Sequence, residues 1–349
     1  MFYKPQKKLA VLISALAATC LLIVPGCGSD SSSDTTEALS TTTMAVATTT
    51  TVAPTTTTVA PEPVEKPLIV VTTNILGDVV SKAVGELFDV ETIMPPGADP
   101  HVFQASAKQV DRMMKADLLV VNGANFEEGL LDVIKGAESD GVKVFEAMNS
   151  VDPLEDHDEE GHDDHDCHDH GGVDPHFFTD PGRMAQVVNQ LSDFLVLNFP
   201  EIDGEDLVSH MADYSKKLTD LDSEVMQTLS SIPESSRVLV TNHEVFAYFA
   251  ESYDFKILGT IIPSPSTLSN ASAKDLVDLA EEMKAEGVLA VFVDSSSSDA
   301  LADALAGELD GVAVVTLFSE SLGPEDSAGS TYIDMVRTNS ELIASALTG

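Results

Sequence analysis

The chain has 349 residues, with 18 Lys and Arg against 58 Asp and Glu, and a formal net charge of −40 at pH 7. This acidic balance argues against nucleic acid as a partner, because no basic stripe is available to neutralise phosphates. It favours cations near the surface, although net charge alone does not define a binding site.

The N-terminus has the pattern of an export signal. Residues 1–8 contain three lysines and no acid, and a nearly uninterrupted apolar run follows at 9–24. These are the charged and hydrophobic regions of a secretory signal peptide, and the run is short for a spanning helix, which needs about 20 apolar residues. Val-Pro-Gly-Cys at 24–27 resembles a bacterial lipobox. We therefore expect a signal peptide over 1–27, lipidation of Cys27 and anchoring to the outer face of the cell membrane; without the lipid, the protein would be secreted or periplasmic.

Cysteine usage predicts no intramolecular disulfide. Removal of Cys20 with the signal peptide and acylation of Cys27 leave only Cys167 in the mature chain. Cys167 lies among histidines. It is therefore either a thiolate ligand for metal or an exposed thiol without a role, and the sequence favours neither.

Residues 28–66 are rich in Ser, Thr, Ala, Val and Pro. They show neither a strand nor a helix period that could bury an apolar face, so we predict a disordered tether. A flexible chain of this length spans roughly 35 Å, which would hold a folded domain near a membrane but clear of it.

Residues 67–200 alternate short apolar runs with amphipathic patterns, which implies parallel βα units. Ser106 has the position of a helix N-cap. We predict strands at 68–73, 88–94, 118–121 and 142–145, and helices at 75–84, from Ser106 onwards, at 127–137 and at 181–198.

A longer helical pattern at about 206–230, within a linking segment 201–235, precedes a second α/β set at 236–349. We predict an α/β fold of two lobes, each a parallel-sheet sandwich, joined by one long linking helix. The cleft between the lobes is the expected place for a ligand. The predicted strands of the second lobe are 237–240, 255–258, 288–293 and 312–317, and its helices are 244–252, 272–285, 300–309 and 332–347.

A segment at 152–172 is unusually rich in histidine and acid. Five of the nine histidines of the chain fall within fourteen positions there. Clustered imidazoles and carboxylates are ligands for divalent ions, so we expect an accessory loop that gathers metal; a solvated acidic tract is the alternative. The candidate ligands of this loop are His157, His162, His165, His168 and His170.

Four residues outside that cluster are candidates for a fixed metal site. In open α/β sheets, ligands bind beyond the carboxyl ends of the strands. His101, His243 and Glu320 each follow a predicted strand, and His176 ends the histidine-rich segment. Three neutral imidazoles and one carboxylate form a four-coordinate set suited to Zn²⁺. Each residue alone also has an ordinary structural interpretation, and the spacings of 75, 67 and 77 positions form no local motif.

Four stretches of the sequence carry a family resemblance. They are PGADPH at 96–101, DPHFFTDP at 174–181, TNHEVFAYF at 241–249 and STYIDMVRTN at 330–339. Their order and composition resemble the solute-binding lipoproteins of bacterial zinc and manganese ABC importers, the ZnuA/TroA-like family of cluster A-I type. The resemblance covers about 68–349.

This resemblance implies specific roles for the candidate residues. In that family the equivalents of His101, His176 and His243 bind metal between two lobes, and a long linking helix restrains their closure. The fourth ligand is usually an acid after the last strands, which Glu320 matches loosely. Manganese-type members tend to have a carboxylate at the position of His243, and an additional imidazole shifts the preference from Mn²⁺ towards Zn²⁺. The loop at 152–172 also resembles that of zinc-type members.

We therefore expect an extracytoplasmic, monomeric solute-binding component that captures Zn²⁺ and delivers it to an ABC permease and its ATPase. Uptake of manganese or iron is the alternative within this class, and a metal-binding surface adhesin is another. We expect no enzyme. A zinc hydrolase would need an open coordination position and a general base, and the position four residues after His243 is Ala247 instead of a second histidine.

Overall fold

The computed structural model describes residues 65–154 and 172–348. These residues belong to one compact unit that spans 62–349. Within the described part, eight strands form two four-stranded parallel sheets flanked by helices, so the predicted two-lobed α/β fold is confirmed. The predicted signal peptide, the tether up to residue 64, Cys27, Cys167 and the five clustered histidines lie outside the described residues.

The first sheet has four strands in the order β2 (Asp89–Thr92), β1 (Leu68–Val71), β3 (Leu118–Val121) and β4 (Lys143–Glu146). Its two central strands, β1 and β3, read Leu-Ile-Val-Val and Leu-Leu-Val-Val and are almost wholly buried, as expected for parallel strands covered on both faces. The elements of this lobe are β1 (Leu68–Val71), α1 (Asn74–Val84), β2 (Asp89–Thr92), α2 (Ala107–Met114), β3 (Leu118–Val121), α3 (Leu131–Ser139) and β4 (Lys143–Glu146).

Two helices follow the first sheet. Asp180 caps the first of them by accepting hydrogen bonds from the N–H groups of Gly182 and Arg183, and Pro181 occupies the first helical position, where its missing N–H costs nothing. The second of them is the predicted linking helix, and Asp203 caps it in the same way. These helices are α4 (Pro181–Asn198) and α5 (Gly204–Leu229).

The second sheet repeats the same topology, with the order β6 (Lys256–Thr260), β5 (Val238–Thr241), β7 (Ala290–Asp294) and β8 (Ala313–Leu317). In both sheets the chain first adds a strand on one side of the initial strand and then crosses to the other side. The elements of this lobe are β5 (Val238–Thr241), α6 (Ala247–Tyr253), β6 (Lys256–Thr260), α7 (Ala273–Glu286), β7 (Ala290–Asp294), α8 (Ala300–Gly307), β8 (Ala313–Leu317) and α9 (Tyr332–Thr348).

One hydrophobic core runs through both lobes. It joins Val71 of the first sheet and Leu239 of the second through Leu218 of α5. Two smaller cores, around Leu119 and Val291, lie against the opposite face of each sheet. Because α5 packs against α1, α4 and α9, the linking helix is part of the shared core instead of an isolated connection between the lobes.

Two helices begin later than the sequence pattern predicts. The helix expected from Glu244 begins at Ala247, because hydrogen bonds hold the preceding residues in a turn. The Thr241 hydroxyl donates to the His243 carbonyl, and the Glu244 N–H donates to the Ser264 carbonyl. The helix expected from Glu127 begins at Leu131, after a short 3-10 turn at Glu128–Leu130. The buried Glu127 carboxylate instead accepts hydrogen bonds from the Asn122 N–H and the Thr72 hydroxyl.

Across residues 65–154 and 172–348, none of the helices combines the length and the apolar character needed to cross a membrane.

Candidate metal centre

His101, His176, His243 and Glu320 meet at one point between the lobes. One potential ligand atom from each lies within 4.8 Å of the others. The four side chains come from four separate loops, and each residue is at most 2% exposed. The carboxyl ends of the parallel strands therefore bring together residues that are far apart in sequence.

The Glu320 carboxylate lies in the middle of the three imidazoles. Its Oε1 atom is 3.1 Å from His243 Nε2 and 3.3 Å from His176 Nε2. Its Oε2 atom is 3.5 Å from His101 Nε2. Among the described residues, the Nε2 atoms of His101 and His176 are buried without a hydrogen-bond partner. A buried polar atom without a partner is costly, so these nitrogens are available to a ligand.

A carboxylate orients each imidazole of the first lobe. Asp174 Oδ1 lies 2.7 Å from His176 Nδ1 and also accepts the His176 backbone N–H at 2.9 Å. Glu128 Oε1 lies 3.2 Å from His101 Nδ1. A carboxylate at Nδ1 favours the tautomer that carries its proton there and leaves Nε2 free for metal.

Asp99 repeats the backbone contact of Asp174. Its Oδ1 atom accepts the His101 N–H at 2.9 Å, and its Oδ2 atom accepts the Thr267 hydroxyl at 2.7 Å. Both aspartates belong to the tripeptide Asp-Pro-His, at 99–101 and at 174–176. In each copy the aspartate closes a local turn that presents the histidine side chain to the cleft.

Phe126 forms an apolar wall behind the two histidines of the first lobe. Its ring meets the rings of His101 and His176 edge to face, with centroids 5.0 and 5.4 Å apart. It is 1% exposed and also packs on Phe178. This wall restricts the rotation of both imidazoles and excludes water from one side of the site.

In the second lobe, hydrogen bonds hold the main chain of the candidate ligands. Asp294, at the end of β7, accepts the Glu320 N–H at 2.9 Å and also bonds to the N–H and hydroxyl of both Ser319 and Ser296. The Thr241 hydroxyl donates to the His243 carbonyl at 2.7 Å. In the described part of the chain, His243 Nδ1 has no hydrogen-bond partner.

The residues after Glu320 bind the second lobe to the first. Ser321 Oγ accepts hydrogen bonds from Asn74 Nδ2 and from the Gly97 N–H, both at 2.8 Å. The Leu322 N–H donates to Asn74 Oδ1 at 2.8 Å. Glu320 is thus anchored to both lobes within two residues of its own position.

The surroundings of Glu320 favour its charged form. Burial alone would raise the pKa of this carboxyl group, but the attraction of the surrounding His176, His101 and His243 imidazoles outweighs burial and holds the pKa well below its usual range. Glu320 therefore supplies a negative charge beside the imidazoles, which attracts a cation.

At His101, burial and the neighbouring charges act on the pKa in the opposite directions to those at Glu320. Burial acts to lower the pKa of its imidazole, but the nearby carboxylates of Glu320, Asp99 and Glu128 raise the pKa above its ordinary value. A proton or a metal ion can satisfy the same group of acids, so the two compete for this ring.

The structure brings together all four residues that the sequence marked as a fixed site. Sequence reasoning missed the supporting acids, which are Asp99, Glu128, Asp174 and Asp294. The repeated Asp-Pro-His tripeptide was a usable signal for two of them. Glu128 and Asp294 have no such signal, because their contacts depend on the packing of distant loops.

Comparison with known proteins identifies the family. The family model described as "Zinc-uptake complex component A periplasmic" matches residues 69–346. The chain belongs to this family. The family consists of substrate-binding proteins of metal ABC transporters and is not a family of enzymes.

Individual relatives agree with that membership. The zinc-binding protein TroA of Treponema pallidum is 29% identical over 287 residues, covering 81% of this chain and 89% of that protein. The manganese-binding lipoprotein MntA of Bacillus subtilis is 28% identical over 288 residues, covering 80% and 89%. A solved structure of TroA from Treponema pallidum superposes with a TM-score of 0.71 at 28% identity, covering 81% of this chain and all of that one.

Proposed function

We propose that this protein captures Zn²⁺ with His101, His176, His243 and Glu320 and delivers it to a membrane permease. One observation carries this proposal: four buried ligand atoms, two from each lobe, lie within 4.8 Å of one another. The ion is the transported cargo, held between the lobes until the protein meets the permease and its ATPase.

The donor set supports zinc. Ligand atoms around a tetrahedral Zn²⁺ with bonds of 2.0–2.1 Å are about 3.3 Å apart. Glu320 Oε1 lies 3.1 and 3.3 Å from the Nε2 atoms of His243 and His176, close to this spacing, and all four ligand atoms lie within 4.8 Å of one another. Three imidazoles and one carboxylate suit the borderline Zn²⁺ better than Mn²⁺, which prefers carboxylate, carbonyl and water oxygens.

Manganese is the second candidate cargo. MntA, which is named a manganese-binding lipoprotein, is about as similar in sequence to this chain as the zinc-binding TroA is. A nitrogen and oxygen site usually binds Zn²⁺ more tightly than Mn²⁺ whichever ion is the cargo, so the two proposals are separated by which ion cells accumulate through this protein.

The protein acts outside the cytoplasm, attached to the cell membrane through a lipid on Cys27. Support comes from the lipobox-like sequence at 24–27 and from relatives named as lipoproteins. We infer that a monomer meets the permease, because its two lobes together supply a complete set of four candidate ligands.

Calorimetric titration of residues 67–349 with Zn²⁺ and Mn²⁺ tests the proposed site. The variant for this test replaces His101, His176 and His243 by alanine. Its matched control is His210→Ala, which removes an exposed histidine on α5. We expect one tight Zn²⁺ site that is lost in the triple variant and kept in the control. Tight binding that survives the triple variant would place the real site elsewhere, and tighter binding of Mn²⁺ would reverse the choice of ion.

The histidine-rich segment has a separate, accessory role in this proposal. Deletion of residues 155–171 should leave the tight site intact and remove weaker sites, because the candidate ligands His157, His162, His165, His168 and His170 are lost while the four converging residues stay. The same titration measures both classes of site. Loss of the tight site in the deletion variant would refute this division.

A further inference from the structure

A short segment of the second lobe, residues 262–269, crosses the rim of the cleft. It follows β6 and has the sequence IPSPSTLS. We call it the serine strap. It makes hydrogen bonds to the loops of candidate metal ligands in both lobes.

The strap is attached to the loop of His243. The Ser264 carbonyl accepts the N–H of Glu244, the residue that follows His243, at 3.1 Å. The Ser264 hydroxyl also accepts the Ser266 N–H at 3.1 Å. The Ser266 hydroxyl in turn accepts the Leu268 N–H at 3.2 Å, which fixes the direction in which that hydroxyl can donate.

The other side of the strap reaches the first lobe. The Ser266 hydroxyl donates to Glu128 Oε1, and the Thr267 hydroxyl donates to Asp99 Oδ2 at 2.7 Å. These two carboxylates are also the partners of His101: Glu128 at the ring Nδ1 and Asp99 at the backbone N–H. One loop of the second lobe therefore holds both acids that orient a candidate ligand of the first.

The hydrogen bonds between the strap and the first lobe lie at the partly exposed rim of the cleft, away from the buried core that the two lobes share. Glu128 is 33% exposed at its side chain, whereas His101 is 2% exposed. Separation of the lobes at this rim would break two hydroxyl–carboxylate bonds and leave the buried core around α5 in place. Glu128 would then lose the group that holds it against the imidazole.

We propose that the serine strap is a latch across the cleft, in which Ser266 and Thr267 are positioning residues that hold His101 in its metal-binding orientation. The latch sets how fast bound metal leaves and has little effect on how fast it enters. This inference rests on the proposed function, because it requires His101 to be a ligand.

The test is the double variant Ser266→Ala/Thr267→Val, loaded with one equivalent of Zn²⁺. Transfer of the ion to an excess of a chromogenic chelator gives the dissociation rate, and mixing of metal-free protein with Zn²⁺ gives the association rate. We expect dissociation to be about tenfold faster, as for the loss of hydrogen bonds to charged groups, with the association rate within about twofold.

The matched control is Ser269→Ala, which removes a strap hydroxyl that bonds to Ser264 and not across the cleft. Its dissociation rate should equal that of the unmodified protein. Equal acceleration in this control would mean general loosening of the strap and would overturn the latch, as would an unchanged rate in the double variant.

A second comparison separates positioning from simple stability. In a Glu128→Ala background, Ser266→Ala should add little to the dissociation rate, because the two residues act through one bond. Fully additive effects would contradict the proposal. His101→Ala distinguishes the two levels of inference: if it leaves zinc binding unchanged, the proposed function fails; if it abolishes binding while the strap variants behave like the unmodified protein, only the latch fails.

Discussion

The two lobes each contribute two residues to the candidate site but hold them in different ways. In the first lobe, carboxylates contact the rings of His101 and His176. In the second lobe, hydrogen bonds fix the backbone N–H of Glu320 and the carbonyl of His243. The contacts of the first lobe therefore determine which ring nitrogen of each histidine carries a proton. The contacts of the second lobe determine the backbone positions of His243 and Glu320.

The two Asp-Pro-His turns show a second difference, within the first lobe. Asp174 uses one oxygen for both the backbone N–H and the ring of His176. Asp99 uses one oxygen for the backbone of His101 and the other for Thr267 of the opposite lobe. The hydrogen bonds of the Asp174 carboxylate thus stay within the first lobe, whereas those of the Asp99 carboxylate connect the environment of His101 to both lobes.

Removal of the central carboxylate should have the largest effect. Glu320→Gln replaces the charge that lies among three imidazoles, so we expect the affinity for Zn²⁺ to fall at least about a hundredfold, beyond the range for loss of a supporting residue. Calorimetric titration measures the affinity. Glu325→Gln, at an exposed acid of the same loop, is the matched control. Affinity that is equal in both variants would exclude Glu320 as a ligand.

Asp294→Asn tests the second lobe, where the main chain is held. An asparagine amide cannot accept hydrogen bonds at its nitrogen, so part of the set donated by Ser296, Ser319 and Glu320 is lost inside the protein. We expect the free energy of unfolding to fall by about 3 kcal/mol, together with a loss of zinc affinity. Denaturant unfolding measures the first quantity, and Asp310→Asn at an exposed position is the control.

Asp174→Asn makes the same chemical change in the first lobe, with a smaller expected effect. The amide oxygen can still accept from the backbone N–H and the ring of His176, so the geometry is kept and only the charge is lost. We expect zinc affinity to fall about tenfold, and the free energy of unfolding to change by about 1 kcal/mol or less. If this variant unfolds as easily as Asp294→Asn, the proposed difference between the lobes is wrong.

The smallest expected effect is the pH dependence of stability and of zinc affinity. The raised pKa of His101 means that its protonated form stabilises the metal-free protein below the unfolded pKa of about 6.5, and that this stabilisation is lost as pH rises through the folded value. Zinc affinity rises over the same window, because fewer protons compete. Glu320, with its lowered pKa, stays charged throughout.

The difference in melting temperature between zinc-loaded and metal-free protein should therefore widen from about pH 6 to about pH 8. Scanning calorimetry at fixed zinc concentration measures it, and Glu320→Gln provides the comparison that lacks the main cause of the shift. A constant difference across this range would show that His101 does not exchange a proton for metal.

Local patterns predicted much of the fold because each central strand is a short apolar run and each long helix has a capping residue. The first helix after the histidine-rich segment begins at Pro181, as predicted, and the structure adds Asp180 as its cap. The start at Glu244 was wrong because a carbonyl from the distant strap takes its N–H. The ends of the predicted strands indicated His101, His243 and Glu320, and the family resemblance supported the set, whereas Asp294 and Glu128 depend on contacts that no local pattern encodes.

The shared core has a consequence for how the protein folds and fails. A single buried cluster includes side chains from both sheets and from the helices between them, so neither lobe has a complete interior of its own. The two sheets should therefore unfold as one cooperative unit, despite their separate topologies. Damage far from the metal, in either half, would reach the site by lowering the population of the folded state as a whole.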